Sequence, residues 1–371
     1  MTTVYISIGT PKTGTTALQN FMYSNDEELR KQGYCYPHLQ VGISNLYKER
    51  NGQFLIYESN HENKREHEEQ VKERGYEQLA KIAKECPNIV LSDEQIWYRC
   101  RRKPDFWKEL VERFRNINCE VKVIVYLRRQ DQLIQSLWNQ SIKMFRKGTL
   151  TFPQCLEKNY FRYVPLDYYE NLKYMEKDLG KENIIVRPYE RGRFEGEEHS
   201  LFSDFFQSVG LTLTDGFERP EKTKNLGLEG NYIEIKRLIN GVPEYRAMRD
   251  FLCRPVLNGS IYQSESGGQG KTSMFTYEEQ VAYQAQFEES NQKVAEEYLG
   301  RKPGEPLFYD EIREMPLWSF NEENMYRDLI TCMTEAFCAQ EKEIAELRAE
   351  LRGGFFYRLE RKLRKIFKKN N

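Results

Sequence analysis

The segment Tyr5–Phe21, YISIGTPKTGTTALQNF, constrains the fold of this 371-residue chain more than any other. Its β-branched and aromatic residues at Thr3–Ile8 predict a strand, Gly9–Gly14 predicts a turn, and the apolar residues that follow Thr15 recur at helical spacing. A helix that begins directly after such a turn presents unpaired backbone N–H groups and the positive end of its dipole. The segment therefore predicts a loop that can bind a phosphate group.

The position of the lysine separates this loop from a nucleoside-triphosphate loop. The triphosphate version, GxxxxGK[ST], has lysine directly after its second glycine, whereas Thr15 stands there in this chain. Lys12 lies two residues before Gly14 and would project toward the outer end of a bound phosphate chain.

The pattern PKTGTT resembles the 5′-phosphosulfate loop of the sulfotransferases that use 3′-phosphoadenosine 5′-phosphosulfate (PAPS). The resemblance implies that the loop holds the 5′-phosphate and that Lys12 steadies the oxygen between the phosphate and the departing sulfuryl group. The cofactor-binding residues that it implies in the loop are Pro11, Lys12, Thr13, Gly14, Thr15 and Thr16.

A second segment strengthens the resemblance. Val121–Leu127 predicts a strand that ends at Arg128 and Arg129, and the following helix contains Ser136. In the sulfotransferases, an arginine at the end of a central strand and a serine eight residues later bind the 3′-phosphate of PAPS. Arg128 and Ser136 have that spacing, and Arg129 is the alternative arginine. Successive side chains of a strand point to opposite faces, so we expect only one of the two arginines to be a ligand.

A third candidate is the glycine-rich segment Ser264–Ser273. It resembles, in type and position, a flexible loop that covers the 3′-phosphate in sulfotransferases. The resemblance implies that Gly268, Gly270 and Lys271 bind the nucleotide, and the alternative is a plain mobile linker.

The candidate catalytic base follows a predicted short buried strand, Asn88–Leu91. Glycan-modifying sulfotransferases often use a glutamate near the end of such a strand, which makes Glu94 the first candidate and Asp93 the second. A carboxylate serves if it reaches the acceptor hydroxyl and burial raises its pKa. The alternative is a helix N-terminus, which Ser92 caps and acidic residues complement.

The alternation of strands and helices predicts one α/β domain over residues 1–300, with a P-loop-like nucleotide-binding core and a central parallel sheet flanked by helices. We expect the long interval between the first two strands to contain an insertion that shapes the acceptor site. The predicted strands are Thr3–Ile8, Ile89–Leu91, Val121–Leu127 and Ile184–Arg187, and later predicted helices are Leu226–Ile239 and Thr276–Leu299.

The chain changes character after residue 300. Residues 301–321 predict a surface connection, and residues 322–352 predict a long helix that could pair with a second copy of itself or pack on the core. The residues of its rough heptad seam are Leu329, Met333, Ala336, Gln340, Ile344, Leu347 and Leu351.

Residues 353–371 form a basic tail after two consecutive glycines. Between Phe355 and Lys369 the tail has seven basic residues and one acidic residue, with apolar residues on one helical face. This pattern is typical of a helix that lies on an anionic membrane surface, and nucleic-acid binding or a disordered tail is the less favoured alternative.

The remaining composition predicts a bacterial cytoplasmic enzyme, and the basic tail adds peripheral association with the inner face of the membrane as an expectation. The eight cysteines have no zinc-like spacing, and the first strand begins near Thr3 without a targeting segment. We expect no metal and no nucleic-acid partner.

The predicted function is the transfer of a sulfuryl group from PAPS to a hydroxyl group of a glycan or glycolipid, with 3′,5′-ADP as the product. A small alcohol or an amine is the alternative acceptor, and no motif decides between them. An ATP-dependent kinase is the rival enzyme class, but the displaced lysine and the lack of a clear magnesium-binding aspartate oppose it. A non-enzymatic nucleotide or glycan sensor at a membrane surface is the rival outside enzymes.

Overall fold

A computed structural model describes residues 1–43, 47–143, 148–219, 227–242, 255–259 and 272–367, and beyond Leu351 it describes the backbone alone. The predicted ligands Gly268, Gly270 and Lys271 lie outside the described residues.

The sheet confirms the predicted α/β class. Five parallel strands lie in the order β2-β3-β1-β4-β5, so the strand that leads into the phosphate loop is central. The two-residue strand β2 was not predicted, because two residues are too few to show an alternating pattern. The strands are β1 (Thr2–Ser7), β2 (Tyr34–Cys35), β3 (Asn88–Ser92), β4 (Cys119–Leu127) and β5 (Ile184–Pro188).

Helices connect the strands and follow the sheet. In chain order they are α1 (Thr15–Ser24), α2 (Asp26–Lys31), α3 (Lys64–Ile82), α4 (Ile96–Arg99), α5 (Phe106–Asn116), α6 (Gln130–Lys143), α7 (Phe152–Glu157), α8 (Tyr168–Leu179), α9 (Leu201–Val209), α10 (Asn231–Asn240), α11 (255–259), α12 (Tyr277–Ala285), α13 (Glu288–Leu299) and α14 (Glu322–Phe367).

The central position of β1 brings the carboxyl ends of three strands together. Val4 of β1 is paired in register with Ile89 of β3 on one side and with Val121 of β4 on the other. Val4 and Ile6 are completely buried, as expected for a parallel strand covered on both faces. Ligands of open α/β sheets bind at this carboxyl edge, where the loops after β1, β3 and β4 meet.

Two predicted helices have different bounds in the structure. The predicted helix Thr276–Leu299 is two helices, α12 and α13, because Phe287 leaves the helical conformation and its ring contacts Tyr283. The predicted helix Leu226–Ile239 begins only at Asn231, since Gly230 has a φ of +52°.

The long C-terminal helix is a single element. Helix α14 runs from Glu322 to Phe367 and continues through Gly353 and Gly354 without a break. The glycines therefore do not separate the predicted seam helix from the basic tail, although the tail side chains lie outside the described residues.

The chain divides into two compact units. The first contains the whole sheet and consists of Met1–Leu137, Cys155–Lys224 and Phe275–Glu314. The second consists of Trp138–Gln154, Asn225–Met274 and Met315–Asn371.

Over the described ranges, no helix is both long enough and apolar enough to cross a membrane. Within that same part of the chain, no three histidine, cysteine, aspartate or glutamate side chains are grouped as a metal ion would require.

Candidate functional site

The loop after β1 is held against the neighbouring strand β4. The backbone N–H and the hydroxyl of Thr10 both donate to the carbonyl of Tyr126, at 2.9 and 3.0 Å. The Thr13 hydroxyl donates back to the carbonyl of Thr10 at 2.7 Å and closes the turn. Lys12, at the crown of the loop, has a φ of +72°, a conformation that a residue with a side chain adopts only when its surroundings impose it.

Gly14 makes the transition from the loop to helix α1. Its φ is +77°, and a Cβ at this position would lie 2.6 Å from a methyl group of Leu201. The carbonyl of Gly14 accepts the first hydrogen bond of the helix, from Leu18. The N–H groups at Thr15 and Thr16, in the first turn, have no carbonyl partner within the helix. The predicted succession of strand, loop and helix N-terminus is therefore present.

Arg128, the first residue after β4, lies beside this loop. Its Nη1 donates to the carbonyl of Lys12 at 2.9 Å, and its guanidinium lies 5.9 Å from the ring centroid of Tyr189. Burial lowers the pKa of Arg128, although the group stays charged at neutral pH. Its Nε is buried and has no hydrogen-bond partner in the described part of the chain. A buried cationic donor without a partner is suited to an anionic ligand.

Arg129 has a different environment. Its Nε and Nη2 donate to the two carboxylate oxygens of Asp131 at 2.7 and 3.0 Å, and its Nη1 donates to the carbonyl of Asp310. Arg129 is 7% exposed and Asp131 is completely buried. The Asp131 carboxylate also accepts a hydrogen bond from Gln280. Arg129 is therefore one half of a buried ion pair, whereas the buried Nε of Arg128 has no partner among the described residues.

Ser136 lies in helix α6, which begins at Gln130, two residues after Arg128. The side chain is partly buried. The structure thus places the predicted serine on the predicted helix, one to two turns after its start.

The two candidate bases lie at the end of β3 and differ in their contacts. Glu94 is partly exposed, and its Oε2 accepts a hydrogen bond at 3.1 Å from Gln19 of helix α1. Gln19 also donates to the hydroxyl of Ser92 at 3.1 Å. Because α1 begins at the phosphate loop, Gln19 links the Glu94 carboxylate directly to the element that would hold the phosphate.

Asp93 is completely buried and paired with Arg50. Nη2 of Arg50 donates to both carboxylate oxygens, at 2.6 and 2.7 Å, and the N–H of Gln95 donates to one of them at 2.8 Å. Burial raises the pKa of Asp93 to about 6, and the charge of Arg50 opposes this rise. With its oxygens occupied and no exposed surface, Asp93 is placed to position the loop after β3.

Arg50 also connects the two carboxylates. Its Nε lies 3.8 Å from Oε2 of Glu94, outside hydrogen-bond distance but close enough for charge attraction. Burial lowers the pKa of Arg50, but the carboxylates of Asp93 and Glu94 more than offset this effect and the pKa is raised. The arginine therefore holds a fixed positive charge beside the Glu94 carboxylate.

Sequence reasoning did not find Gln19, Arg50 or Tyr189. Arg50 is 43 residues from Asp93, and Gln19 is 75 residues from Glu94, so no local pattern joins the partners. Arg50 does lie in the interval between the first two predicted strands, where an insertion that shapes the site was expected.

No protein-family model matches the chain. An uncharacterised protein of Archaeoglobus fulgidus is 30% identical over 203 residues, which are 54% of this chain and 52% of that protein. The chain thus matches about half the length of this relative.

Among solved structures, a sulfotransferase from Alicyclobacillus acidocaldarius is similar to the chain. The similarity covers 63% of this chain and 93% of the other, at 14% identity and a TM-score of 0.38.

Proposed function

We propose that the protein is a sulfotransferase that moves a sulfuryl group from PAPS to a hydroxyl group, with 3′,5′-ADP as the second product. The observation that carries the proposal is the contact of Arg128 with the carbonyl of Lys12. This contact sets a partly buried guanidinium, whose buried Nε has no partner among the described residues, beside a phosphate-type loop. A nucleotide with two separate phosphate groups could place one in the loop and the other against the Arg128 guanidinium.

The residues present fit such a nucleotide. The N–H groups at the start of α1, with the hydroxyls of Thr15 and Thr16, would hold the 5′-phosphate. Arg128 would take the 3′-phosphate, with Ser136 closing the other side, because a planar guanidinium binds two phosphate oxygens at once. PAPS supplies the sulfuryl group when it is bound.

The chemical roles follow from position and charge. The Lys12 ammonium would neutralise negative charge that develops on the bridging oxygen, a form of stabilisation that is strongest in a site that excludes water. Glu94 would accept the proton of the acceptor hydroxyl. Gln19 and Arg50 would orient the Glu94 carboxylate, and Asp93 would hold Arg50 in place.

A carbohydrate acceptor is the substrate class that we propose, as a free glycan or a glycolipid. A hydroxyl acceptor needs a catalytic base that the substrate can reach, and Glu94 is partly exposed. The hydrogen bond from Gln19 also supports Glu94 as this base, because it fixes the position of the carboxylate. Association of the basic tail with the inner face of a membrane is part of the same proposal and would favour a lipid-linked acceptor.

The test compares the thermal stabilisation of the protein by 3′,5′-ADP, 5′-AMP and ATP with magnesium. A ligand at a hundred times its Kd stabilises the folded state by about 2.7 kcal/mol, which raises Tm by several degrees. We expect 3′,5′-ADP to stabilise the protein well above 5′-AMP, because only its 3′-phosphate would bind Arg128.

Other outcomes separate the rival functions. Stronger stabilisation by ATP with magnesium would favour a kinase and overturn the proposal. Binding of 3′,5′-ADP without any transfer from radiolabelled PAPS to glycan or glycolipid mixtures would favour a nucleotide sensor. No response to any of the three nucleotides would remove the basis of the proposal.

A further inference from the structure

Helix α14 has one face that is packed within its own compact unit. Asp328, Cys332 and Ala336 are almost completely buried, and the Asp328 carboxylate accepts a hydrogen bond from Asn231 of helix α10 at 2.7 Å. Ala336, a residue of the predicted seam, therefore packs inside the chain. Packing within the chain was one of the two alternatives for this helix, and pairing with a second copy was the other.

A different face of the same helix is apolar and exposed. Tyr326 is 76% exposed, Ile330 63%, Met333 46% and Phe337 58%. Residues 330 and 332 are about 200° apart around an α-helix, so this stripe lies largely opposite the packed face. Large apolar side chains exposed together in this way mark an interaction surface.

The exposed stripe continues with strict heptad spacing. The spacing between successive stripe residues alternates between four and three positions. The average of 3.5 residues is the repeat of a left-handed coiled coil. The stripe shares Met333 and the positions from Gln340 to Leu351 with the predicted seam, and Leu329 and Ala336 lie outside it. The complete stripe is Tyr326, Ile330, Met333, Phe337, Gln340, Ile344, Leu347 and Leu351.

We propose that this stripe, the α14 stripe, pairs with the α14 stripe of a second copy of the chain as a parallel two-stranded coiled coil. In heptad terms Ile330 and Ile344 occupy a positions and Leu347 occupies a d position, the choice that favours two parallel strands. The next d position after Leu351 is Gly354, and the α14 stripe ends there because glycine has no side chain to pack.

Charges that flank the stripe favour the parallel orientation. In a parallel pair, Glu343 at a g position faces Arg348 at the following e position of the other copy, and symmetry forms this attractive pair twice. In the antiparallel register that overlaps the whole stripe, Arg327 and Arg348 face each other and repel. Charge complementarity thus identifies the occupant as a second copy in the same orientation.

The first test measures the mass of the full chain in solution by light scattering over a wide range of concentrations. We expect twice the 44.3 kDa of a single chain. Leu347→Asp, which places a carboxylate in the α14 stripe, should give the single-chain mass. The matched control Ala349→Asp places the same carboxylate on the opposite side of the helix and should leave the dimer intact. A single-chain mass for the unaltered protein, or equal effects of both substitutions, would overturn the proposal.

The second test measures orientation by disulfide crosslinking. Cys338 is the exposed thiol among the described cysteines, so Cys338→Ser gives the background. Leu347→Cys in this background should form a covalent dimer on mild oxidation, because equivalent d positions touch in a parallel pair.

In the antiparallel register, the two copies of residue 347 would lie roughly 25 Å apart and could not crosslink. A dimer that does not crosslink at 347 would contradict the parallel arrangement. If the chain is instead a monomer that sediments with anionic vesicles, and Leu347→Asp but not Ala349→Asp abolishes sedimentation, the stripe is a membrane surface and the proposal fails.

Discussion

Arg128 and Arg129 are adjacent in sequence, and replacing each with alanine should produce two different defects. Arg128 contacts the phosphate loop through the Lys12 carbonyl, whereas Arg129 neutralises the buried Asp131. We expect Arg128→Ala to lose nucleotide affinity with little change in stability, and Arg129→Ala to lose stability.

For Arg128→Ala the expected changes in stability and in nucleotide affinity follow from the contacts of the guanidinium. The one hydrogen bond that it makes to the loop contributes about 0.5–1.5 kcal/mol, so the folded protein should lose little. A hydrogen bond to a charged phosphate contributes about 1.5–3 kcal/mol. Affinity for 3′,5′-ADP should therefore fall by roughly ten- to a hundred-fold, while affinity for 5′-AMP should hardly change.

For Arg129→Ala the magnitude follows from the aspartate left behind. Asp131 is completely buried, and removing one partner of a buried ion pair costs about 3–5 kcal/mol. Each kcal/mol lowers Tm by about 2–4 °C in a domain of this size, so a loss of roughly 10 °C is expected.

Isothermal titration with 3′,5′-ADP and 5′-AMP, together with thermal unfolding, measures both quantities on each variant. If Arg129→Ala does not fold, Arg129→Lys keeps the charge and should bind 3′,5′-ADP normally. The reasoning is refuted if Arg128→Ala binds 3′,5′-ADP as the unaltered protein does, or if the selective loss appears in the Arg129 variants.

Further predictions concern the loop and the carboxylates. Lys12→Ala should lower kcat by about 10²-fold or more and weaken nucleotide binding much less, as single-turnover kinetics with PAPS would show; equal losses would count against its role. Gly14→Ala, at a φ of +77°, should cost roughly 1–2 kcal/mol of folding free energy for the backbone alone, measured by urea unfolding. Glu94→Gln should bind 3′,5′-ADP but transfer little sulfuryl group, and full activity would exclude it as the base. The pKa of Asp93 is raised from 3.8 to about 6, so its contribution to stability is present at acid pH and is lost as the pH rises from about 4 to 6. This loss should be absent in Asp93→Asn, as urea unfolding at several pH values would show.

The strand, loop and helix around Lys12 were predictable because they depend on neighbours in sequence. Alternating apolar residues specify a strand, Gly14 permits the left-handed turn, and the apolar spacing after Thr15 specifies a helix. The same local patterns located four of the five strands, and hence the parallel α/β class.

The candidate site was predictable only in part. The sequence placed Arg128, Ser136 and Glu94 at the ends of strands or on the following helix, where the structure finds them. The sequence left the choice between Arg128 and Arg129 open. Alternation along a strand predicts that the two side chains project to opposite faces, but it does not predict which one faces the loop.

The tertiary structure alone decided which groups meet. The Arg50 pairing with Asp93 and the contact of Gln19 with Glu94 join residues of different elements, and chain separation hides them from any local pattern. The same holds for helix α14, whose heptad-like sequence allowed several registers. Burial takes Ala336 out of the predicted seam, whereas Ile330 and Phe337 are exposed, since a helix can bury one face against the chain and present another.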